Sequence, residues 1–398
     1  MGAVVVGIDT PRYLKTLRSA NSTTCQSLAV DLEALSHLAQ RHLQMKEYSP
    51  PILIGYSSGA TLAYATLVQS PPGTFSGAMS LGFCADQDIG EAQLCPGYGL
   101  KYTRNRRGDA VFEPASHLRQ PWLAFQGQQD EVCKPAAIDA FVTEVAGAAV
   151  VRLPKVGHGF SVQRNWMPQF RAAYRTIVDR TQAEGKPIPV AIQDLPVTEV
   201  AADNRSSKQF ALLLTGDGGW AGLDQDVSAR LAALGTPVVG FNSLKYFWTQ
   251  RTPEQTAVDV ARVLRHYFSS WDKSEVLLIG YSFGADVLPF VVNRLPADLR
   301  ARVATISLAG LGKDATWEVH VANWLPGFAS VGSPIAPEIE ALATPMLCLY
   351  GEGEKDSLCP TLTGSRVRAE MVGKGHHLGG EYTTIADRIL EFTATAYR

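Results

Sequence analysis

A set of short segments occurs twice in this chain, in the same order each time. Val4-Val-Val-Gly-Ile-Asp-Thr-Pro-Arg-Tyr13 matches Val238-Val-Gly-Phe-Asn-Ser-Leu-Lys-Tyr246, and Ala29-Val-Asp-Leu-Glu-Ala-Leu35 matches Ala257-Val-Asp-Val-Ala-Arg-Val263. Pro51-Ile-Leu-Ile-Gly-Tyr-Ser-Ser-Gly-Ala60 matches Val276-Leu-Leu-Ile-Gly-Tyr-Ser-Phe-Gly-Ala285. Pro121-Trp-Leu-Ala-Phe-Gln-Gly127 matches Pro345-Met-Leu-Cys-Leu-Tyr-Gly351, and Val156-Gly-His-Gly-Phe160 matches Gly373-Lys-Gly-His-His377. Collinear recurrence marks a duplicated domain, so the two halves are expected to share one architecture.

Each half alternates short apolar runs with helical patterns, the signature of parallel βαβ units. In the second half, strands are predicted at Phe210–Leu214, Pro237–Phe241, Val276–Gly280, Val303–Leu308, Pro345–Tyr350 and Arg366–Met371. Helices are predicted at Asp224–Ala233, Pro253–Phe268, Gly284–Asn293 and Thr383–Thr393. The expected fold class is α/β, with two tandem domains built on mostly parallel sheets: residues 1–185, a linker with a possible first strand at 186–205, and residues 206–398. The first half starts at the equivalent of Val238 and has no counterpart of Leu212–Trp220, so it is expected to be N-terminally incomplete. At 398 residues with 46% hydrophobic and 19% charged content, a sizeable core is within reach. A net charge of -2 gives no reason to expect nucleic acid as a partner. No apolar run approaches the roughly 18–20 residues of a membrane span.

Met1–Asp9 lacks the basic and long apolar regions of a secretory signal. Val6 stands where a myristoylation motif needs Ser or Thr. Ala3–Ile8 reads instead as a buried strand, which suggests a truncated or misassigned start. The six cysteines contain no Cys-x-x-Cys or Cys/His cluster, so no metal site is expected. They are either six buried thiols or three disulfides of an oxidising compartment. Cys84 and Cys95 flank one loop, Cys348 and Cys359 another, and Cys25 and Cys133 remain, which suggests those three pairs although six cysteines allow 15 pairings.

The chemistry falls on strand-to-helix turns. Gly280-Tyr-Ser-Phe-Gly284 sits between an apolar strand and a helical pattern, the context of a nucleophile elbow, which holds Ser282 on a strained turn clear of the sheet. A hydroxyl needs a base, and His376 is the candidate because the repeat aligns it with His158; His377 is its rival. The orienting acid is expected at Asp356, which precedes Ser-Leu-Cys as Asp130 precedes Glu-Val-Cys. Glu354 is the alternative, three residues after Gly351 as Asp130 is after Gly127. The order serine, acid, histidine is that of the α/β-hydrolases. Backbone N–H groups of Phe283 and of Asp217 or Gly218, in Thr215-Gly-Asp-Gly-Gly-Trp220, are the candidate oxyanion donors.

In the first half Ser57, Asp130 and His158 form a second candidate triad, 73 residues separating Ser57 from Asp130 and 74 separating Ser282 from Asp356. Without an oxyanion loop this site is expected to be crippled. Asp286, on the helix behind Ser282, either meets a cationic substrate group or complements the helix dipole. Trp220, Tyr246, Phe247 and Trp248 either line an acyl pocket or fill the core.

Leu212-Leu-Leu-Thr-Gly-Asp-Gly-Gly-Trp220, Gly280-Tyr-Ser-Phe-Gly-Ala-Asp-Val-Leu-Pro289, Tyr350-Gly-Glu-Gly-Glu-Lys-Asp-Ser-Leu-Cys-Pro360 and Gly375-His-His377 resemble the bacterial virulence protein VirJ family across the whole second half. The first half resembles the N-terminal domain of the two-domain AcvB form. The resemblance implies a periplasmic α/β-hydrolase that cleaves aminoacyl-phosphatidylglycerol to phosphatidylglycerol and a free amino acid such as lysine or alanine. It also implies links to virulence and type IV secretion, with Ser282, Asp356 and His376 as the catalytic residues. It gives Asp286 and Asp217 a role in pairing with a substrate ammonium group. No cofactor is implied, and the expected partner is an aminoacylated phospholipid at a membrane surface. A general carboxylesterase, thioesterase or peptidase of the same fold, or a non-catalytic secretion accessory protein, are the competing readings.

Overall fold

A computed structural model describes residues 3–19, 25–183, 190–202, 207–319, 332–380 and 382–396. The chain divides into two compact units, Met1–Met45 with Ser49–Glu184, and Lys46–Tyr48 with Gly185–Arg398. Most of the Gly185–Pro189 and Asp203–Ser207 linker sequence lies outside the described residues.

The first unit runs α1 (Thr10–Arg18), α2 (Leu28–His42), β1 (Ile52–Tyr56), α3 (Ser58–Gln69), β2 (Gly77–Leu81), a small antiparallel sheet of β3 (Asp86–Gln87), β4 (Tyr102–Arg104) and β5 (Ala110–Phe112), then β6 (His117–Gly127), α4 (Pro135–Thr143), β7 (Ala146–Leu153) and α5 (Met167–Ala183). Its main sheet has the order β1-β2-β6-β7, all parallel.

The second unit runs β8 (Val197–Val200), β9 (Gln209–Leu214), α6 (Gly222–Ala233), β10 (Val238–Phe241), α7 (Ser243–Tyr246), α8 (Pro253–Ser270), β11 (Glu275–Tyr281), α9 (Phe283–Arg294), α10 (Ala297–Arg300), β12 (Val303–Ala309), β13 (Asp314–Ala315), β14 (Ser333–Pro334), α11 (Ala336–Glu340), β15 (Met346–Glu352), β16 (Val367–Lys374) and α12 (Tyr382–Ala396). Its sheet order is β16-β15-β12-β11-β9-β10-β8, parallel except for β8, which joins the β10 edge antiparallel. The possible first strand expected in the 186–205 linker is β8.

The central strands are apolar throughout because both faces are covered, as parallel sheets require. Phe210 to Leu214 are all fully buried, and all of β12 is buried. Alternate residues feed two cores. Phe210, Leu212 and Leu278 join Val260, Leu264 and Tyr267 of α8 and Leu288 and Val291 of α9 on one face. Ala211, Leu213 and Leu277 join Val227 and Leu231 of α6 and Ile385 and Ile389 of α12 on the other. Helix α8 starts where Thr252 and Gln255 form a reciprocal capping box ahead of Pro253. Tyr246, Phe247 and Trp248 are core residues, nearly fully buried, and Trp220 lies across Gly240. Burial thus settles three of the four aromatics as packing.

The order β7-β6-β2-β1 in the first unit repeats β16-β15-β12-β11 in the second. Among the described residues, nothing pairs with β1 on the side where β11 pairs with β9. Ala3–Ile8 is correspondingly not a buried strand: Val4, Val5, Val6 and Ile8 are exposed and unpaired with any strand. Its counterpart β10 is held between β9 and β8, and among the described residues the first unit shows no β9 equivalent to hold it.

Three disulfides are formed, Cys25–Cys95, Cys84–Cys133 and Cys348–Cys359. Only the last matches the pairing expected from loop flanks. Cys84 ends the segment after β2 beside the loop after β6, so the sheet order brings it to Cys133 rather than to its sequence neighbour Cys95.

Candidate active site

All the chemistry-bearing groups of the second unit lie at the carboxyl ends of its parallel strands, where ligand sites of such sheets form. Ser282 follows β11 and opens α9 with φ 50° and ψ −120°, a strained conformation for a residue with a Cβ. It is locked by its N–H donating to the Ala309 carbonyl at the end of β12, 2.8 Å. The flanking glycines are sterically required. A Cβ on Gly280 would lie 2.6 Å from the Gly284 carbonyl oxygen, and one on Gly284 only 2.2 Å from that of Leu214.

His376 follows β16, and its Nε2 lies 2.7 Å from Ser282 Oγ. Its Nδ1 lies 2.6 Å from Glu354 Oε1. The other Glu354 oxygen accepts the Gly351 N–H at 3.0 Å. With Nδ1 carrying the proton toward Glu354, Nε2 faces the serine as acceptor, the tautomer a general base needs. It is His376 and not His377 that meets the serine: the His377 Nδ1 lies 2.9 Å from the Tyr281 hydroxyl.

The carboxylate that meets His376 is therefore that of Glu354 and not that of Asp356. Asp356 is fully exposed and lies 3.9 Å from Lys313. The count back from cysteine misleads because the second loop is longer there: three residues separate Asp130 from Cys133, and five separate Glu354 from Cys359. The count forward from Gly351 holds because the sheet fixes where the strand ends. The Cys348–Cys359 disulfide closes this acid-bearing loop onto β15, with both sulfurs' residues fully buried.

Burial works to lower the His376 pKa, but the hydrogen bond and charge of Glu354, with the charges of Asp217 and Asp286, outweigh it and leave the imidazole above its usual value. Burial likewise works to raise Glu354, and the hydrogen bonds from His376 and Gly351 leave it below the usual carboxylate range. His377 is lowered by burial and by the charge of His376. Asp286 is pushed up to about 7, chiefly by burial, against the Gly312 N–H that it accepts at 2.8 Å.

The N–H of Phe283, first residue of α9, stands where an oxyanion donor follows a nucleophile. The glycine-rich loop after β9 lies over the serine: a Cβ on Gly216 would be 3.5 Å from that of Ser282. This places Asp217 and Gly218 in the loop expected to give the second donor. Gly310 (φ 64°) must be bare, because a Cβ there would come within 3.0 Å of His376 Cε1.

The first unit builds the same constellation. Ser57 has φ 52° and ψ −121°, and its Oγ lies 3.0 Å from His158 Nε2. His158 Nδ1 lies 2.9 Å from Asp130 Oδ2. Asp130, His158 and Cys133 are also close enough to suggest a metal site, but the Cys133 sulfur is committed to its disulfide with Cys84.

A nucleophile elbow after a central parallel strand, followed in chain order by an acid and a histidine on later strand ends, defines an α/β-hydrolase fold. Residues 208–396 match the family described as bacterial virulence protein (VirJ). The second unit is a VirJ-like α/β-hydrolase domain. Similar solved structures each cover about half of the chain. MenH from S. aureus has 13% identity and a TM-score of 0.39, over 51% of this chain and 99% of that one. Est1E from Butyrivibrio proteoclasticus has 8% identity and a TM-score of 0.39, over 50% and 93%. A thermophilic esterase from Thermogutta terrifontis has 13% identity and a TM-score of 0.38, over 51% and 94%. No curated protein matches the chain. Among the described residues, no helix is long and apolar enough to cross a membrane.

Proposed function

We propose that the second unit is a serine esterase that removes the aminoacyl group from aminoacyl-phosphatidylglycerol, lysyl or alanyl, giving phosphatidylglycerol and the free amino acid. The observation that carries this reading is the hydrogen-bonded relay from Ser282 through His376 to Glu354, set beside the carboxylate of Asp286. Ser282 Oγ attacks the aminoacyl carbonyl and passes its proton to His376 Nε2. The tetrahedral oxyanion is met by the Phe283 N–H and by a donor from Asp217 or Gly218. His376 returns the proton to the departing glycerol oxygen, and water then releases the amino acid by the reverse route.

Substrate choice rests on charge. Every aminoacyl ester carries an α-ammonium, and lysine carries a second cation. Asp217, Asp286 and Glu354 all act electrostatically on the His376 region, so a cationic acyl group enters a site of opposite charge. The matched family and three disulfides favour an oxidising, periplasmic setting, facing the lipid surface that holds the substrate.

The test is incubation of the full chain and of Ser282→Ala with lysyl- and alanyl-phosphatidylglycerol in mixed micelles, followed by lipid chromatography. Phosphatidylglycerol is expected from the wild type and none above background from the variant. Cleavage of simple esters with no cleavage of either lipid would replace this reading with a general carboxylesterase. No serine adduct with a fluorophosphonate at Ser282, and no hydrolysis of any ester, would leave a binding protein.

A further inference from the structure

We propose that Ser57, His158 and Asp130 form a second, independent acyl-transfer site, one that takes neutral carboxylic esters. The family match begins at residue 208 and does not reach this site.

The geometry is that of a working nucleophile. The Ser57 dihedrals lie within 2° of those of Ser282. Its N–H donates to the Leu81 carbonyl at 2.9 Å, as that of Ser282 does to Ala309. Gly55 clears the elbow: a Cβ on it would lie 1.9 Å from the Gly59 carbonyl oxygen. Gly82 (φ 63°) occupies the place of Gly310, and a Cβ there would come within 3.3 Å of His158 Cε1. A strained serine and a bare left-handed glycine under an imidazole have no packing purpose that an ordinary turn would not serve.

The relay is held more firmly here than in the second unit. The Asp130 side chain is fully buried and that of His158 18% exposed, against 9% for Glu354 and 44% for His376. Asp130 Oδ1 also accepts the N–H groups of Val132 and Cys133, both at 2.9 Å. The Cys84–Cys133 disulfide ties the acid loop to the segment that carries Gly82. Ser57 itself remains partly exposed, and its neighbours Tyr56 and Ser58 are exposed, so a substrate has access.

The surroundings set the substrate class. At the position of Asp286 the first unit has Thr61, whose hydroxyl donates to the Cys84 carbonyl at 2.8 Å. In the second unit that contact is reversed, with the Asp286 carboxylate accepting from Gly312. The loop that carries Asp217 has no counterpart among the described residues. Tyr56 lies 5.9 Å from the His158 ring, as Tyr281 does from that of His376, and the first unit adds Phe160, 6.0 Å from Tyr56 and packed on Trp166. With Thr61 at the position of Asp286 and no counterpart of Asp217 among the described residues, this site lacks two of the acids that surround His376, and Phe160 and Trp166 give an apolar acyl group a surface.

Ser57 Oγ bonds to the acyl carbon and gives its proton to His158 Nε2. The acyl C–O bond breaks, and the alcohol leaves with that proton. Water then attacks the acyl-serine and restores Ser57. The Ser58 N–H is the one oxyanion donor of the elbow. Loss of one donor typically slows a hydrolase about 10²–10³-fold, and turnover is expected to be lower than that of Ser282 by about this factor.

The experiment uses the full chain carrying Ser282→Ala, treated with a fluorophosphonate and with p-nitrophenyl butyrate, and mapped by peptide mass. The expected result is an adduct on Ser57 and slow butyrate release, both abolished in Ser57→Ala/Ser282→Ala. Adding His158→Gln to Ser282→Ala should abolish both while the circular dichroism spectrum stays that of the parent. The Ser282→Ala chain should also cleave the butyryl ester at least about ten-fold faster than a lysyl ester of the same alcohol, a difference of about 1.4 kcal/mol. No Ser57 adduct together with butyrate release equal to that of the double variant overturns the site. A faster lysyl ester overturns its neutral character. Lysyl-lipid cleavage by Ser57→Ala reads the second unit alone, so the two proposals fail separately.

Discussion

Asp286→Asn changes one oxygen to an amide and removes a charge from the wall of the second site. In the folded chain this carboxyl titrates near 7 instead of 3.8, mainly through burial. The difference of about 3 units corresponds to about 4 kcal/mol, and relaxation around the group brings the expected effect to about 2–4 kcal/mol. The sign follows from the direction of the shift. The folded state holds the proton more tightly, so the cost of the carboxylate is absent below about pH 4, grows as pH rises toward 7, and is complete above it. Asp286→Asn retains an oxygen to accept the Gly312 N–H. The variant should therefore be more stable than the wild type at pH 8, and the gap should widen by about 2–3 kcal/mol between pH 5 and pH 8. Urea unfolding of both proteins at the two pH values measures this as a difference, which cancels the contribution of the first unit. In the same variant, kcat/KM for a lysyl ester should fall about 10–100-fold, the worth of a charge-assisted hydrogen bond, and kcat/KM for a neutral ester should be unchanged. An equal gap at both pH values would show that Asp286 is not desolvated, and an unchanged lysyl preference would remove it from substrate recognition.

Glu354→Gln should lower kcat about 10³–10⁴-fold by releasing the His376 tautomer, whereas Asp356→Asn should alter it less than two-fold; steady-state kinetics on one ester compares them. The acid limb of kcat/KM should fall above pH 6.5, because the base works only when neutral and its acidic neighbours hold the His376 proton on; a limb at or below 6.5 would contradict the assigned pairing. Gly310→Ala should cost most of the activity, since the added methyl meets the His376 ring, and a fluorophosphonate rate near wild type would argue otherwise. Replacing Cys348 and Cys359 together by Ala should destabilise the second unit by about 2–3 kcal/mol, the closure entropy of a loop with sequence separation 11, read by urea unfolding.

The repeat, the parallel strands and both elbows were legible because each rests on local signals: period, glycine placement and chain order. The two histidines followed from aligning the halves. What escaped depended on distant partners. Glu354 and Asp356 are two residues apart in one loop, and only the sheet register, carried by Gly351, decides which faces His376. Ala3–Ile8 has the composition of a strand, but a strand exists only with a neighbour. Cys95 lies close to Cys84 in sequence, yet Cys25 and Cys133 are the residues that the fold brings to them. Tyr246, Phe247 and Trp248 are core residues, and their apolar character alone did not distinguish wall from interior. Asp286 is the reverse case: its place on the first turn of α9 was visible, and its raised pKa follows from burial that composition does not reveal.

The central claim is that acyl groups pass through the Ser282 oxygen. Rapid acid quench of the full chain during turnover of lysyl-phosphatidylglycerol, with peptide mass mapping, tests it directly. A lysyl ester on the peptide bearing Ser282, forming before free lysine and missing in Ser282→Ala, is the predicted result. Lysine release at the wild-type rate by Ser282→Ala, or turnover with the lysyl group found only on another residue, would contradict it.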